Sequence, residues 1–128
     1  MKDCLAKDIM IKDVYTIKVG SKVALARLNM MRHGVGGLPV LDEKGIVLGM
    51  ITQRDVDLAG SDVSHLPVED LMTTKLHKGN ERTTLKEIVD LMVKTGIQRI
   101  PIVNDEGHLL GLVTQTSVIK HALAYDLL

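Results

Sequence analysis

The sequence has few of the residues that hold small proteins together covalently or through metals. It contains one cysteine, Cys4, and therefore cannot form an internal disulfide or a Cys-x-x-Cys metal site. Its five histidines show no His-x-x-x-His spacing, so no metal site is expected. A single free thiol is typical of a reducing compartment, and we expect a cytoplasmic location.

The sequence also lacks phenylalanine and tryptophan, and its 16 Lys and Arg residues are balanced by 16 Asp and Glu residues. Without a basic cluster or stacking aromatics, nucleic-acid binding is not expected. There is no apolar run long enough to cross a bilayer and no apolar N-terminal segment, so neither a membrane nor export is expected. No nucleophile stands beside a base in a recognisable motif, and the protein is not expected to be an enzyme or to carry a catalytic cofactor.

What the sequence does contain is an internal repeat. A shift of 62 positions carries the segment LGMITQ at residues 48–53 onto LGLVTQ at residues 110–115 without a gap. The shared residues are mainly glycine, proline and threonine, which fix turns and strand ends. Two copies indicate a pair of related units, since solenoids need at least about three shorter repeats. Further identical pairs are Asp8/Asp70, Met10/Met72, Gly34/Gly96, Pro39/Pro101 and Gly45/Gly107.

Each copy contains one predicted amphipathic helix. Its apolar positions are Leu85, Ile88, Val89 and Met92 in the second copy, and Ala24, Leu28 and Met31 in the first. Thr83 or Thr84 is the candidate N-cap of the second helix and Ser21 that of the first. The helices are predicted to end at Gly96 and Gly34, because glycine readily takes the left-handed conformation that ends a helix.

The helices are embedded in a predicted β-α-β-β-α pattern. A short strand precedes each helix, near residues 14–17 and near Leu76. A hairpin follows, with Pro39 or Pro101 predicted at a strand start or edge because proline donates no ladder hydrogen bond. The hairpin strands are predicted at residues 38–41 and 46–51 and at 100–103 and 109–113, and the closing helices at 53–58 and 115–127.

The predicted fold class is therefore α+β, with two β-α-β-β-α units related by a pseudo-twofold axis. Repeat 1 covers residues 6–60, a connector covers 61–67, and repeat 2 covers 68–128. We expect the two repeats to form one compact module.

These motifs resemble the cystathionine beta-synthase (CBS) domain. They are Asp-(Ile/Leu)-Met at the start of each copy, Gly-x-x-x-(Leu/Ile)-Pro after the helix and Gly-x-(Ile/Val)-Thr before the closing helix. They occur twice in the same order, and the resemblance covers residues 6–124. A tandem pair of this kind is similar to a Bateman module. The resemblance implies binding of AMP, ADP, ATP or S-adenosylmethionine in clefts between the units, and frequent dimerisation.

The resemblance also implies which residues bind the ligand. Thr52 and Asp55 match the ribose-binding Thr-x-x-Asp motif, in which one carboxylate can accept from both vicinal hydroxyls. Gln98 and Arg99 stand where nucleotide-binding members carry phosphate contacts. A family cleft takes these two groups from different units, so Asp55 and Arg99 are expected to bind one nucleotide. The residues expected to line the adenine slot are Met50, Leu76, Ile97 and Pro101, and His77 could line the same cleft.

The second cleft departs from the family pattern. Ser117 replaces the ribose carboxylate after Thr114, and a hydroxyl cannot hold two ligand hydroxyls as a carboxylate does. Gly36 and Gly37 replace the polar and basic pair. We therefore expect one competent site and one weaker cleft. The weaker cleft comprises Val14, Tyr15, Thr16, Gly36, Gly37, Thr114 and Ser117.

Other interpretations remain open. Thr52 and Thr114 could be plain helix N-caps, and Arg99 could be a solvated strand residue. The module could be structural, with degenerate clefts, or could sense S-adenosylmethionine. As a sensor it would act in trans on an unknown effector protein, and we expect a homodimer. The predicted dimer contacts on the closing helix are Val118, Ile119, Ala122 and Leu123.

Overall fold

The structure, a computed structural model, describes residues 4–125. These residues form two compact units. The middle unit is Tyr15–Leu76, and the terminal unit combines residues 4–14 with residues 77–125. The two units do not coincide with the two sequence repeats. The first residues of each repeat pack in the unit that contains the hairpin of the other repeat. We call these first residues the lead segments, residues 5–14 and residues 67–76.

The middle unit contains a three-stranded sheet of order β1-β2-β3. Strand β1 runs parallel to β2, and β2 runs antiparallel to β3. The sheet and the connecting elements follow the predicted β-α-β-β-α pattern, but the first strand is Ile17–Lys18 rather than the stretch predicted near residues 14–17. The elements are β1 (Ile17–Lys18), α2 (Val23–His33), β2 (Gly37–Leu41), β3 (Val47–Thr52), α3 (Gln53–Ala59) and a 3-10 helix (Val68–Asp70).

The terminal unit has a two-stranded antiparallel sheet of β4 and β5. The strand predicted near Leu76 is wrong, since the chain makes only one parallel bridge there, between Gly79 and Ile102. Asn80 follows this bridge and donates its backbone amide to the Thr83 hydroxyl at 3.0 Å, which turns the chain away from the sheet. The elements are α1 (Ala6–Ile9), α4 (Leu85–Thr95), β4 (Arg99–Val103), β5 (Leu109–Thr114) and α5 (Gln115–Ala124).

Helix α4 has the predicted face and ends. Leu85, Ile88 and Met92 are buried, and Val89 packs beside them. Thr84 is the N-cap, with its hydroxyl accepting from the Glu87 amide at 3.1 Å, and Gly96 ends the helix in the left-handed conformation.

The face predicted for α2 is wrong, although Gly34 ends the helix as predicted. Leu28 and Met31 are 41% and 73% exposed, and Ala24 is also exposed. The N-cap is Lys22 rather than Ser21 and has no side-chain capping bond. The buried residues of α2 are Val23, Ala26 and Met30.

Both hairpins are confirmed, but their prolines lie in the middle of strands β2 and β4. Pro39 is the third residue of β2 and pairs with Met50. The backbone amide and carbonyl of Met50 bond to Thr73 instead, at 2.9 and 2.8 Å. Pro39 therefore lies opposite a residue that requires no backbone hydrogen bond from it, so the missing proline amide costs nothing on that side. On the other side, β1 pairs with β2 only from Val40 onwards.

Each unit has its own apolar core, and each core includes a lead segment. Val68 is fully buried in the middle unit, and Ala6 is fully buried in the terminal unit. The 62-position shift relates these two residues, so the exchange of lead segments is the same in both units. The connector also contributes a buried side chain, Val63, to the middle core.

Helix α5 ends at Ala124, and the predicted end at residue 127 lies outside the described residues. Within residues 4–125, no helix has the length and apolar content needed to cross a bilayer.

Candidate functional site

The ribose-motif region of the middle unit is built where the second lead segment crosses strand β3. Thr73 and Met50 exchange two backbone hydrogen bonds, Met50 N to Thr73 O at 2.9 Å and Thr73 N to Met50 O at 2.8 Å. This close crossing requires Gly49, because a Cβ at that position would lie 2.8 Å from the Thr73 carbonyl oxygen. The glycine of the repeated Leu-Gly motif therefore leaves the space in which the lead segment packs against β3.

The Asp55 carboxylate lies at this crossing, one turn into α3. Its Oδ2 accepts from the Thr52 amide at 2.9 Å, while the Thr52 hydroxyl accepts from the Asp55 amide at 3.1 Å. Thr52 is thus the N-cap of α3, as one interpretation predicted. The other carboxylate oxygen, Oδ1, accepts from the Thr73 hydroxyl at 3.4 Å. Lone pairs remain on both oxygens for a ligand.

Ser117 in the terminal unit, unlike Asp55, both donates and accepts hydrogen bonds through its side chain. Its hydroxyl accepts from the Thr114 amide at 2.9 Å and donates to the Thr114 carbonyl oxygen at 2.9 Å. The Thr114 hydroxyl accepts in turn from the Ser117 amide at 3.0 Å, so Thr114 is also an N-cap. The single proton of the Ser117 hydroxyl is already used, whereas the Asp55 carboxylate is an acceptor with free capacity.

Arg99 is the first residue of β4 and pairs with Thr114 on β5. It is half-buried, and burial lowers the pKa of its guanidinium below the ordinary value. Within residues 4–125 no carboxylate forms an ion pair with it and no side-chain hydrogen bond satisfies it. A half-desolvated cation of this kind favours an anionic ligand.

The other predicted residues are distributed between the units. In the middle unit Gly37 pairs with Thr52, and the Gly36 carbonyl accepts from the Gln53 amide at 2.9 Å, so both glycines adjoin the start of α3. In the terminal unit the Gln98 carbonyl accepts from the Gln115 amide at 3.0 Å, which places it beside the start of α5.

The predicted apolar slot contains residues of differing exposure. Met50 and Pro101 are buried, Leu76 and Ile97 are half-buried, and His77 is exposed. Leu76 and Tyr15 belong to the middle unit. Val14 and His77 belong to the terminal unit.

Two features of the middle unit were not predicted from the sequence. One is Thr73, which lies 18 positions from Asp55 and contacts it only because the lead segment crosses β3. The other is a parallel stack of Tyr15 on His33, with ring centroids 3.8 Å apart. Tyr15 is one of the residues predicted for the weaker cleft, with Thr16 half-buried beside it.

The described part of the chain contains no group of three or more His, Cys, Asp or Glu residues that could hold a metal ion. The Cys4 Sγ lies 3.4 Å from Nε2 of His121. Desolvation, with the Asp8 carboxylate adding to it, raises the pKa of the Cys4 thiol.

A duplicated α+β unit with a capping Thr at the start of each closing helix defines a tandem-repeat module of the type that the sequence motifs predict. The family model of the CBS domain matches this chain twice, over residues 6–62 and 68–124. The chain therefore belongs to the CBS domain family, as a tandem pair.

Relatives of known sequence differ in how much of their length this chain covers. It is 37% identical over 111 residues to the CBS domain-containing protein YhcV of Bacillus subtilis, covering 84% of this chain and 77% of YhcV. It is 34% identical over 113 residues to an inosine-5'-monophosphate dehydrogenase of Thermoplasma acidophilum, covering 87% of this chain but only 22% of that enzyme.

Two solved structures of similar proteins contain adenosine compounds. CBSX2, crystallised in complex with AMP, superimposes with a TM-score of 0.87 at 25% identity, covering 96% of this chain and 98% of CBSX2. The CBS domain pair of MJ0100, in complex with 5'-methylthioadenosine and S-adenosyl-L-methionine, has a TM-score of 0.84 at 26% identity, covering 95% of this chain and 97% of the other.

Proposed function

We propose that this chain is a regulatory module that binds an adenine nucleotide through its ribose and phosphate groups. The adenosine compounds bound by CBSX2 and by the MJ0100 pair support this class of ligand. Asp55 is proposed to accept from the ribose hydroxyls, and Arg99, with Gln98, to bind the phosphate.

The observation that carries this proposal is the Arg99 guanidinium. A cation that is half removed from water and has no anionic partner among residues 4–125 loses hydration without compensation. A ligand phosphate would compensate for the lost hydration through charge-assisted hydrogen bonds. An ordinary solvated strand arginine would be more exposed or paired with a carboxylate.

We further propose how ligand binding becomes a signal. The module acts on an effector protein, and the ligand changes that interaction only if its affinity differs between the free and the effector-bound module. Because the Asp55 site combines a carboxylate with free acceptor capacity and the Ser117 hydroxyl does not, we propose one nucleotide per chain. The chain is proposed to act as a homodimer.

Calorimetric titration of the full chain with AMP, ADP, ATP and adenosine tests the proposal. Arg99→Ala should weaken AMP binding about 10- to 100-fold while leaving adenosine nearly unchanged, because the lost interaction is a charge-assisted hydrogen bond. Arg82→Ala is the matched control, since Arg82 is an exposed arginine of the same unit. Equal loss of AMP and adenosine, or no loss of either, would contradict the phosphate assignment.

Asp55→Ala tests the ribose assignment. It should weaken AMP about 5- to 100-fold but weaken 2'-deoxy-AMP less, because the deoxy compound lacks one hydroxyl contact. The unliganded melting temperatures must be compared, since Asp55 also bonds the Thr52 amide in the capping box and its loss lowers stability.

Two alternatives are supported by particular observations. The Ser117 hydroxyl, whose proton is already donated to the Thr114 carbonyl, favours a structural CBS pair with degenerate clefts, and absence of binding by all nucleotides would support it. The ligands of the MJ0100 pair favour an S-adenosylmethionine sensor, which would bind S-adenosylmethionine more tightly than AMP.

A further inference from the structure

We infer that Thr73 is a positioning residue for the Asp55 carboxylate and that it strengthens the preference of this site for ribose over 2'-deoxyribose. The inference rests on the proposed function and deepens it. It concerns how the middle unit holds one carboxylate, and it assigns a role to a lead-segment residue that belongs to the other sequence repeat.

The Thr73 backbone is held in place against β3. Two hydrogen bonds with Met50, at 2.8 and 2.9 Å, hold it against β3, and Met50 is itself buried. Gly49 allows this approach by leaving no side chain in its way. The Thr73 side chain therefore starts from a backbone that two hydrogen bonds hold in place, although Thr73 itself is exposed.

The two carboxylate oxygens of Asp55 accept from different donors. The Thr52 amide holds Oδ2 and the Thr73 hydroxyl reaches Oδ1, so each oxygen has one donor. With both ends held, rotation of the carboxylate about its terminal bond is restricted. A restricted carboxylate can meet two vicinal hydroxyls at less entropic cost than a free one.

The terminal unit has the same backbone arrangement without the hydroxyl and without the carboxylate. Ile11 occupies the position that corresponds to Thr73 and makes the same pair of backbone bonds, with Leu112, at 2.8 and 2.9 Å. The residue corresponding to Asp55 in that unit is Ser117. The carboxylate and the hydroxyl that contacts it thus occur together in one unit and are both replaced in the other.

This comparison also supplies the test variants. Ile11 shows that the same backbone accepts a β-branched apolar side chain, so Thr73→Val should fold while losing only the hydroxyl. Thr73→Ser keeps the hydroxyl and is the conservative rescue. AMP and 2'-deoxy-AMP are titrated by calorimetry into wild type and both variants, after their melting temperatures have been compared.

We expect Thr73→Val to weaken AMP about 3- to 10-fold, the size of one modest hydrogen bond, because the contact with the carboxylate is long at 3.4 Å. The ratio of AMP to 2'-deoxy-AMP affinity should also fall. Thr73→Ser should restore the affinity ratio to within about twofold of wild type. A merely structural role would weaken both ligands equally and leave the ratio unchanged.

The outcomes separate this inference from the proposed function. If wild type binds AMP and Thr73→Val keeps the wild-type ratio, the positioning role is overturned while nucleotide binding stands. If wild type binds neither compound, the proposed function fails and the role of Thr73 fails with it.

Discussion

Replacing Gly49 by alanine should destabilise the middle unit through the crossing of its lead segment. The added Cβ would lie 2.8 Å from the Thr73 carbonyl oxygen and 2.8 Å from the Met72 sulfur. The sulfur belongs to a flexible methionine side chain and can move. The carbonyl oxygen cannot move without loss, because it accepts the Met50 amide at 2.9 Å.

The expected cost follows from this forced backbone shift. Overpacking of a well-packed core costs about 1 to 3 kcal/mol, and the weakened Thr73–Met50 pair falls within that range. Urea unfolding followed by circular dichroism should show a midpoint lower by about 1 M, given an m-value of about 1 to 3 kcal/mol per M.

Gly111→Ala is the matched variant in the other unit. There the added Cβ would lie 2.9 Å from the Ile11 carbonyl oxygen and 2.5 Å from the Met10 sulfur, so its stability loss should be at least as large. Only Gly49→Ala should also reduce the AMP preference over 2'-deoxy-AMP, because only its lead segment carries Thr73. An unchanged urea midpoint in both variants would refute the argument that these glycines admit the lead segments.

Three further predictions concern helix ends, the thiol and assembly. Lys22→Thr should stabilise the protein by about 0.5 to 1 kcal/mol in urea unfolding by giving α2 the cap that Thr84 gives α4; an unchanged midpoint would contradict this. The raised pKa of Cys4 means that the unfolded thiol ionises first, so stability should fall as the pH rises above the ordinary thiol pKa. That alkaline fall should be smaller in Cys4→Ala, and an equal fall would refute the linkage. Ile119 is 52% exposed on α5, and Ile119→Glu should lower the mass measured by light scattering from dimer to monomer; a monomeric wild type would exclude the dimer.

Much of the fold follows from local sequence patterns. The α4 face, the glycine helix ends and both hairpins have periodic or turn signals that packing does not override. The same periodicity predicts the wrong buried face for α2, because this helix has apolar residues on two sides, among them Leu25 at 45% exposure. The 62-position shift from Leu85, Ile88 and Met92 points to the residues that are in fact buried.

The candidate site was less accessible to sequence reasoning. The capping of α3 by Thr52 is a local pattern within four residues and could be predicted. The contact of Thr73 with Asp55 depends on a lead segment joining the other repeat's hairpin, which no local pattern encodes. The joint action of Asp55 and Arg99 on one nucleotide is likewise non-local, and it stays a prediction.

The exchange of lead segments gives the two units different folding requirements. The middle unit is one continuous stretch and can close its core as soon as Leu76 has left the ribosome. The terminal unit must bring Ile11 to Leu112 across almost the whole chain, which costs more loop-closure entropy. We therefore expect the middle unit to form first on the ribosome. Until the last strand emerges, Ala6 and Ile9 have no core to enter, so these residues are made before the middle unit but fold after it.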